Sequence, residues 1–89
     1  AFLQVSPNPF SSLSTVRYSL LEGAWVSLEV YNLAGELVRT LVAETRAAGE
    51  YGLSWDMKDD LGQEVPSAVY LLRLKAGNTA STLKIVVLR

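Results

Sequence analysis

Hydrophobic and polar residues alternate along most of this chain, the pattern of β-strands that bury one face. Turn residues separate the alternating runs at roughly the 8–12-residue spacing of a β-sandwich. We therefore predict an all-β, immunoglobulin-like antiparallel β-sandwich of about seven strands, in sheets of three and four, as a single domain over residues 1–89. The predicted strands are Phe2–Ser6, Thr15–Leu20, Trp25–Tyr31, Glu36–Val42, Tyr51–Trp55, Ala68–Ala76 and Thr79–Leu88.

The most regular part of the pattern is a hairpin at the centre of the sequence. In its first strand Val26, Leu28 and Val30 are predicted to face the core. Asn32–Gly35 is predicted to reverse the chain, because Asn and Gly tolerate the positive φ values of tight turns. The apolar residues of the returning run, Glu36–Val42, follow a spacing closer to a helix than to clean alternation. A helix of this length is marginal alone, so we predict a strand with a bulge; a short helix is the alternative.

The connections between strands have their own signals. Pro7 and Pro9 cannot donate backbone hydrogen bonds, so Ser6–Phe10 is predicted to be an extended crossover in which Phe10 acts as an apolar plug. Further core residues are expected on the later strands, and Val86 and Leu88 are apolar where the last strand should face solvent. The remaining predictions are loops at 11–14 and 44–49, a turn cluster at Asp56–Gln63, a reversal at Gly77-Asn78, and core positions Tyr51, Leu53, Trp55, Tyr70, Leu72 and Leu74.

Composition removes several classes of function. The net charge of −1 argues against a nucleic-acid partner, which usually leaves a basic footprint. The chain contains neither histidine nor cysteine, which removes the commonest general base, the thiolate nucleophile and the commonest metal ligands. We therefore expect neither an enzyme nor a cofactor. We also expect no membrane span, because no apolar run approaches the ~20 residues that a bilayer requires. The opening Ala1-Phe2-Leu3 suggests a module taken from a longer protein, without a signal peptide of its own.

Three weaker candidates for chemistry have simpler explanations. The run Asp56–Gly62 is rich in carboxylates, as calcium loops are, but Lys58 stands where a ligand is needed, so an acidic turn with Asp-to-backbone hydrogen bonds is favoured. Trp25 and Tyr31 lie on the predicted outer face of one strand and are the only aromatic pair worth testing for sugar stacking. The glutamates are scattered singly, and solvated surface charges explain them better than a catalytic pair.

Several segments occur together in an order that is typical of one family. They are SPNPF near the start, VYNLAGELVRTLV in the middle, the stretch from Gly49 through Trp55-Asp56 and Gly62 to Val65-Pro66-Ser67, then AVYLLRL, and KIVVLR at the end. In this order they resemble the C-terminal sorting domain of type IX secretion substrates, and equally the immunoglobulin-like module of the flagellar hook-capping protein. The resemblance runs from about Val5 to Arg89 and departs at Ala68, where the family usually has Gly. Its motif residues are Pro7, Asn8, Pro9, Tyr31, Gly35, Trp55, Asp56, Gly62, Pro66 and Tyr70.

The resemblance implies a non-catalytic role in secretion. Such domains stand at the C-terminus of secreted bacterial proteins, are recognised by an outer-membrane translocon after passage through the periplasm, and are often removed by a surface sortase. It implies a location outside the cell or on its surface, with upstream domains of the same chain as cargo. The expected recognition residues are those of the last strand, with Val86 and Leu88 presented to the partner by edge or face contact: Lys84, Ile85, Val86, Val87, Leu88 and Arg89. The alternative is a structural accessory or carbohydrate-binding module of a secreted glycoside hydrolase or other hydrolase.

Overall fold

A computed structural model describes residues 2–10 and 14–89, which form seven strands in two antiparallel sheets. The three-stranded sheet has the order β1-β2-β5, and the four-stranded sheet has the order β4-β3-β6-β7. The predicted all-β sandwich with sheets of three and four strands is confirmed. In the described part of the chain, no helix is long and apolar enough to cross a membrane. The strands are β1 Phe2–Ser6, β2 Thr15–Leu20, β3 Ala24–Asn32, β4 Leu37–Arg46, β5 Gly49–Leu53, β6 Ala68–Ala76 and β7 Thr79–Val87.

The returning strand of the central hairpin is longer than predicted and carries two register shifts. Residues 44–46, predicted as part of a loop, continue β4 because the start of β3 offers them a partner: Ala24 lies opposite Arg46. Leu28 lies opposite Val42 while Glu29 lies opposite Thr40, so Leu41 is an extra residue on β4. Val38 is a second extra residue, because Arg39 lies opposite Val30 and Leu37 lies opposite Tyr31. The side chains of Leu41 and Val38 both pack against the core. The bulge prediction is confirmed, and the helix alternative is wrong.

The core lies between the two sheets and takes the inward residues predicted for β3 and β6. Val26, Leu28 and Val30 are fully buried, as are Phe10 and Trp55 to within a few per cent. Trp55 was predicted to end a strand, but β5 stops at Leu53 and Trp55 reaches the core from the following loop. Of the predicted loop at 11–14, only Ser14 falls within the described residues.

The two ends of the sandwich are built differently. At one end, called the turn end here, short connections at 21–23 and 47–48 pass from one sheet to the other, and the turn at 77–78 joins the paired strands β6 and β7. At the other, the loop end, lie the crossover residues 7–10 and 14, the turn at 33–36, the long connection at 54–67 and the last residue, Arg89. The 33–36 turn is closed by Asn32, whose Oδ1 accepts the N–H groups of Ala34 and Glu36 at 3.0 Å. Gly35 takes a φ of 85° there, a conformation that glycine adopts without steric cost. The predicted reversal at Asn32–Gly35 is confirmed.

Candidate functional site

The last strand, β7, forms an edge of the four-stranded sheet, and its side chains divide between two faces. Ile85 and Val87 are fully buried and belong to the core. Lys84 and Leu88 are exposed, Leu88 by 59%, and Val86 is half-buried. The outer row made by Lys84, Val86 and Leu88 is therefore the part of the predicted recognition strand that a partner reaches without unfolding the sandwich.

The backbone edge of β7 near its end is already occupied by the crossover from the start of the chain. The amide N–H of Val86 donates to Oδ1 of Asn8 at 3.1 Å, and Nδ2 of Asn8 donates to the carbonyl of Lys84 at 3.4 Å. The N–H of Phe10 donates to the carbonyl of Val86 at 2.6 Å. Because this edge is satisfied from within the chain, a partner that pairs as an additional strand would first have to displace Asn8 and Phe10.

Arg89 ties the end of the chain to the long 54–67 connection. Its Nη2 donates to the carbonyl of Met57 at 2.6 Å, its Nε donates to the carbonyl of Val65, and its Nη1 lies 3.3 Å from Oε1 of Glu64. Its backbone N–H donates to Oγ of Ser67 at 2.9 Å. A planar guanidinium presents several N–H donors at fixed angles and can bind several acceptors at once. The ammonium group of lysine has rotating donors and does not fix these angles.

The first half of the long connection is fixed by Trp55 and Arg39. The indole Nε1 of Trp55 donates to the carbonyl of Lys58 at 2.9 Å, and Nη1 of Arg39 donates to the same carbonyl at 3.0 Å. Arg39 also contacts Oδ1 of Asp56 at 3.0 Å, and that oxygen accepts the N–H of Lys58. Arg39 was not predicted as a site residue. The sequence shows only that it is a charged residue within the mostly apolar run Leu37–Val42.

Asp59 and Asp60 hold the second half. Oδ1 of Asp59 accepts the N–H groups of Leu61 and Gln63 at 2.9 Å, around Gly62, which has a φ of 82°. The N–H of Asp60 donates to the carbonyl of Val38 at 3.0 Å, at one of the bulges of β4. These bonds confirm the acidic-turn interpretation, in which the carboxylates bond to nearby backbone. No group of side chains among the described residues is arranged to hold a metal ion.

Three aromatic rings fill the core beneath this connection. The ring of Trp55 lies 5.6 Å from that of Phe10 and 6.1 Å from that of Tyr70, between centroids. The hydroxyl of Tyr70 donates to the carbonyl of Pro66 at 2.7 Å, which fixes the start of β6. Burial raises the pKa of the Tyr70 hydroxyl, because the charged form loses hydration.

Most of the predicted family-motif residues come together at the loop end. Pro7 accepts a hydrogen bond at its carbonyl from Oγ of the buried Ser14 at 2.7 Å, and the bonds before Pro7 and Pro9 are both cis. Tyr31 lies instead on the outer face of β3, where its hydroxyl donates to Oε1 of Glu29 at 2.8 Å and this bond raises the pKa of Tyr31. The residues brought together at the loop end are Pro7, Asn8, Pro9, Gly35, Trp55, Asp56, Gly62, Pro66 and Tyr70.

The aromatic pair considered for sugar stacking is too widely spaced to hold one ring. Trp25 and Tyr31 stand on the same face of β3, but six residues of strand separate them by roughly 20 Å. Trp25 is 58% exposed, whereas Tyr31 is half-buried and hydrogen-bonded. Both side chains line one shallow depression on the outer face of β3, with Ser27 and Glu29 between them, but they are too far apart to stack on the same sugar ring.

Comparison with known proteins places the chain in a family. The FlgD Ig-like domain family matches residues 10–80, and the chain belongs to it. A search of curated proteins finds no match. A solved structure of PorZ, described as an essential bacterial surface component of the type-IX secretion system of Porphyromonas gingivalis, is similar over 98% of this chain with a TM-score of 0.65 and 19% identity. The chain covers 11% of that protein, and at this identity the likeness shows the shared fold.

Proposed function

We propose that this FlgD Ig-like domain is a folded, non-catalytic sorting domain that directs a parent protein through a type IX secretion system to the outside of the cell or its surface. The single observation that carries the proposal is the construction of the last strand. Its core face locks it into the sandwich, its end is fixed by Arg89, and its outer row of Lys84, Val86 and Leu88 stays accessible. The similarity of fold to part of PorZ, a component of such a system, supports the same role.

The proposed contact is through a face of the strand. Because Asn8 and Phe10 occupy the backbone edge of β7 near its end, the translocon would meet side chains and not unpaired N–H and C=O groups. Val86 lies beside Val69 of β6, and Lys84 lies beside Leu71, so the accessible row continues into a mixed apolar and basic surface. The translocon and, after export, a surface sortase are the partners that the proposal requires.

The test is an export assay with a reporter protein that carries this chain at its C-terminus, in a bacterium that has a type IX secretion system. Reporter in the medium or on the cell surface, absent in a translocon-deletion strain, is the expected result. The double variant Val86→Thr, Leu88→Ser should leave the reporter inside the cell, while Leu21→Ser, at a residue 89% exposed on the turn end, should be exported normally. Circular dichroism of the purified variants must show folded domains.

Two results would overturn the proposal. One is export of a reporter that lacks residues 84–89. The other is export after replacement of the whole domain by an unrelated β-sandwich, which would instead point to a structural accessory role.

A further inference from the structure

A groove opens at the loop end, between the turn at 33–36 and the connection at 59–66, with the first residues of β6 as its floor. Its volume of about 610 Å³ falls within the ~300–1,000 Å³ that is usual for ligand-binding pockets. We propose that this leucine groove, named for its exposed residues Leu33, Leu37 and Leu61, binds a peptide segment of a partner protein that carries aliphatic side chains next to lysine or arginine. The inference does not require the proposed role in secretion.

The first argument is the clustering of exposed apolar side chains. Leu33, Leu37 and Leu61 are 66%, 47% and 84% exposed, and all three line this one groove. Exposed hydrophobic residues are ordinary when scattered singly, and a contiguous group marks a binding surface. At the turn end, Leu21 and Trp25 are also exposed, but each lines a different depression.

The rim of the groove carries acidic side chains. Three carboxylates line the groove, those of Glu36, Asp59 and Asp60, and among the described residues no lysine or arginine lines it. Asp60 forms an ion pair with Arg39, whose Nε lies 3.8 Å from its Oδ1 and whose guanidinium also contacts Asp56, so Glu36 and Asp59 contribute most of the negative charge of the rim. An apolar groove with an acidic rim complements a segment whose apolar residues are flanked by cations, and it repels an acidic one.

Hydrogen bonds hold both walls of the groove in place. The 33–36 wall is held by the Asn32 side chain, and the 59–66 wall is held by Asp59, by the bond of Asp60 to Val38 and by the bond of Tyr70 to Pro66. Walls that are already ordered lose little conformational entropy when a ligand binds. The groove is therefore preformed and does not need a partner to create it.

The position of the groove favours a partner from another chain over residues that precede Phe2. Phe2 pairs with Ser19 at the turn end, and the molecule is 36 Å along its longest axis. The described part of the chain therefore begins at the turn end, the end of the sandwich remote from the groove.

The test is titration of the ¹⁵N-labelled 89-residue chain with three synthetic hexapeptides, followed by NMR. The probes alternate lysine or arginine with leucine (KLRLKL), glutamate or aspartate with leucine (ELDLEL), and lysine or arginine with serine (KSRSKS). The basic, leucine-containing peptide should shift the amide signals of Leu33, Leu61 and Val69 in a saturable manner, and the other two should bind at least about tenfold more weakly, a difference of ~1.4 kcal/mol.

Matched variants separate groove binding from general stickiness. Leu61→Ser should weaken binding of the basic peptide about tenfold, because it removes one buried aliphatic contact. Leu21→Ser changes an equally exposed leucine at the turn end and should leave the affinity unchanged. Glu36→Gln should weaken binding a few-fold at low salt, whereas Glu22→Gln should not.

Four outcomes would overturn the inference. They are the absence of saturable shifts in the groove, equal binding of the acidic peptide, an equal effect of Leu61→Ser and Leu21→Ser, and self-association of the chain that Leu61→Ser abolishes, which would make a second copy the occupant. Because peptide binding is measured on the isolated domain and export on a cellular reporter, failure of one leaves the other independently testable.

Discussion

The two ends of this sandwich solve the problem of connecting strands in opposite ways. The turn end uses connections of two or three residues between consecutive strands and needs few side-chain hydrogen bonds. The loop end has the long connection at 54–67 and the crossover residues 7–10, and ordering such irregular segments costs conformational entropy. There, side chains of Asn8, Arg39, Asp59 and Arg89 supply the hydrogen bonds that regular structure does not.

This difference explains why the accessible surface of interest lies at one end. Long connections that are tied down can present side chains in fixed positions, and both the end of β7 and the leucine groove lie among them. The depression between the short turns at 21–23 and 77–78 is smaller, at about 240 Å³ against about 610 Å³ for the leucine groove. If the side-chain hydrogen bonds at the loop end stabilise the fold, removing them should lower the free energy of unfolding more than matched changes to exposed residues do.

The largest effect is expected at Trp55. Trp55→Ala removes a buried ring that contacts Phe10 and Tyr70 and a hydrogen bond to Lys58, and it should lower the free energy of unfolding by about 3–5 kcal/mol. Trp25→Ala at the turn end, where the ring is 58% exposed, should cost less than about 1 kcal/mol. Urea unfolding followed by far-UV circular dichroism measures both. Equal losses would show that the two ends do not differ in this way.

A smaller loss is expected at the end of the chain. Arg89→Ala removes the bonds to the carbonyls of Met57 and Val65 and should destabilise the domain by about 1–3 kcal/mol. Lys84→Ala, at a neighbouring exposed cation with its side chain in solvent, serves as the control and should stay within about 0.5 kcal/mol. If Arg89→Ala matched this control in urea unfolding, Arg89 would not be a structural tie.

Asn8→Ala should act locally on the covered edge of β7. Loss of the bonds to Val86 and Lys84 should cost about 1 kcal/mol and accelerate hydrogen exchange of the Val86 amide, whose acceptor is removed. The amide of Phe10, which donates to the carbonyl of Val86, reports whether the crossover stays docked. Unchanged exchange at Val86 would contradict the assignment of Asn8 as the group that covers this edge.

An effect as small as that of Asn8→Ala is expected from Tyr70→Phe, which removes only the hydroxyl bonded to Pro66 and should cost about 1 kcal/mol at neutral pH. Burial raises the pKa of Tyr70, so the unfolded chain loses this proton first, near pH ~10. Stability is therefore full below that pH and falls as pH rises through the folded-state pKa. Tyr70→Phe should reduce the fall in urea midpoint between pH 8 and pH 11; an identical fall would contradict it.

How much the sequence could predict differs between these regions. Alternation gave the number of strands and the inward residues of β3 correctly, because Val26, Leu28 and Val30 must share one face whatever lies opposite. The bulges of β4 were also visible, since Leu41 and Val42 are adjacent and apolar and both contact the core. The continuation of β4 through residues 44–46 was missed, because an edge strand with solvent on one side can be polar.

The candidate site was predictable only as a list of residues. The sequence marked Asn8, Trp55, Asp56 and Arg89 without indicating that they lie at one end or what they bond. Asn8 and Val86 are 78 residues apart along the chain, and no local pattern encodes a bond between them. The same holds for Arg39, which nothing in its neighbourhood connects with Lys58.

Local pattern therefore determined the fold class, the strand faces and the central turn of this protein, because each depends on backbone geometry over a few residues. Tertiary structure alone decided that the edge of the last strand is covered, that Arg89 is tied to the long connection, and that three leucines converge on one acidic groove. These features join residues far apart in sequence, and their partners are fixed only when the two sheets pack and bring the crossover at Asn8 beside the last strand.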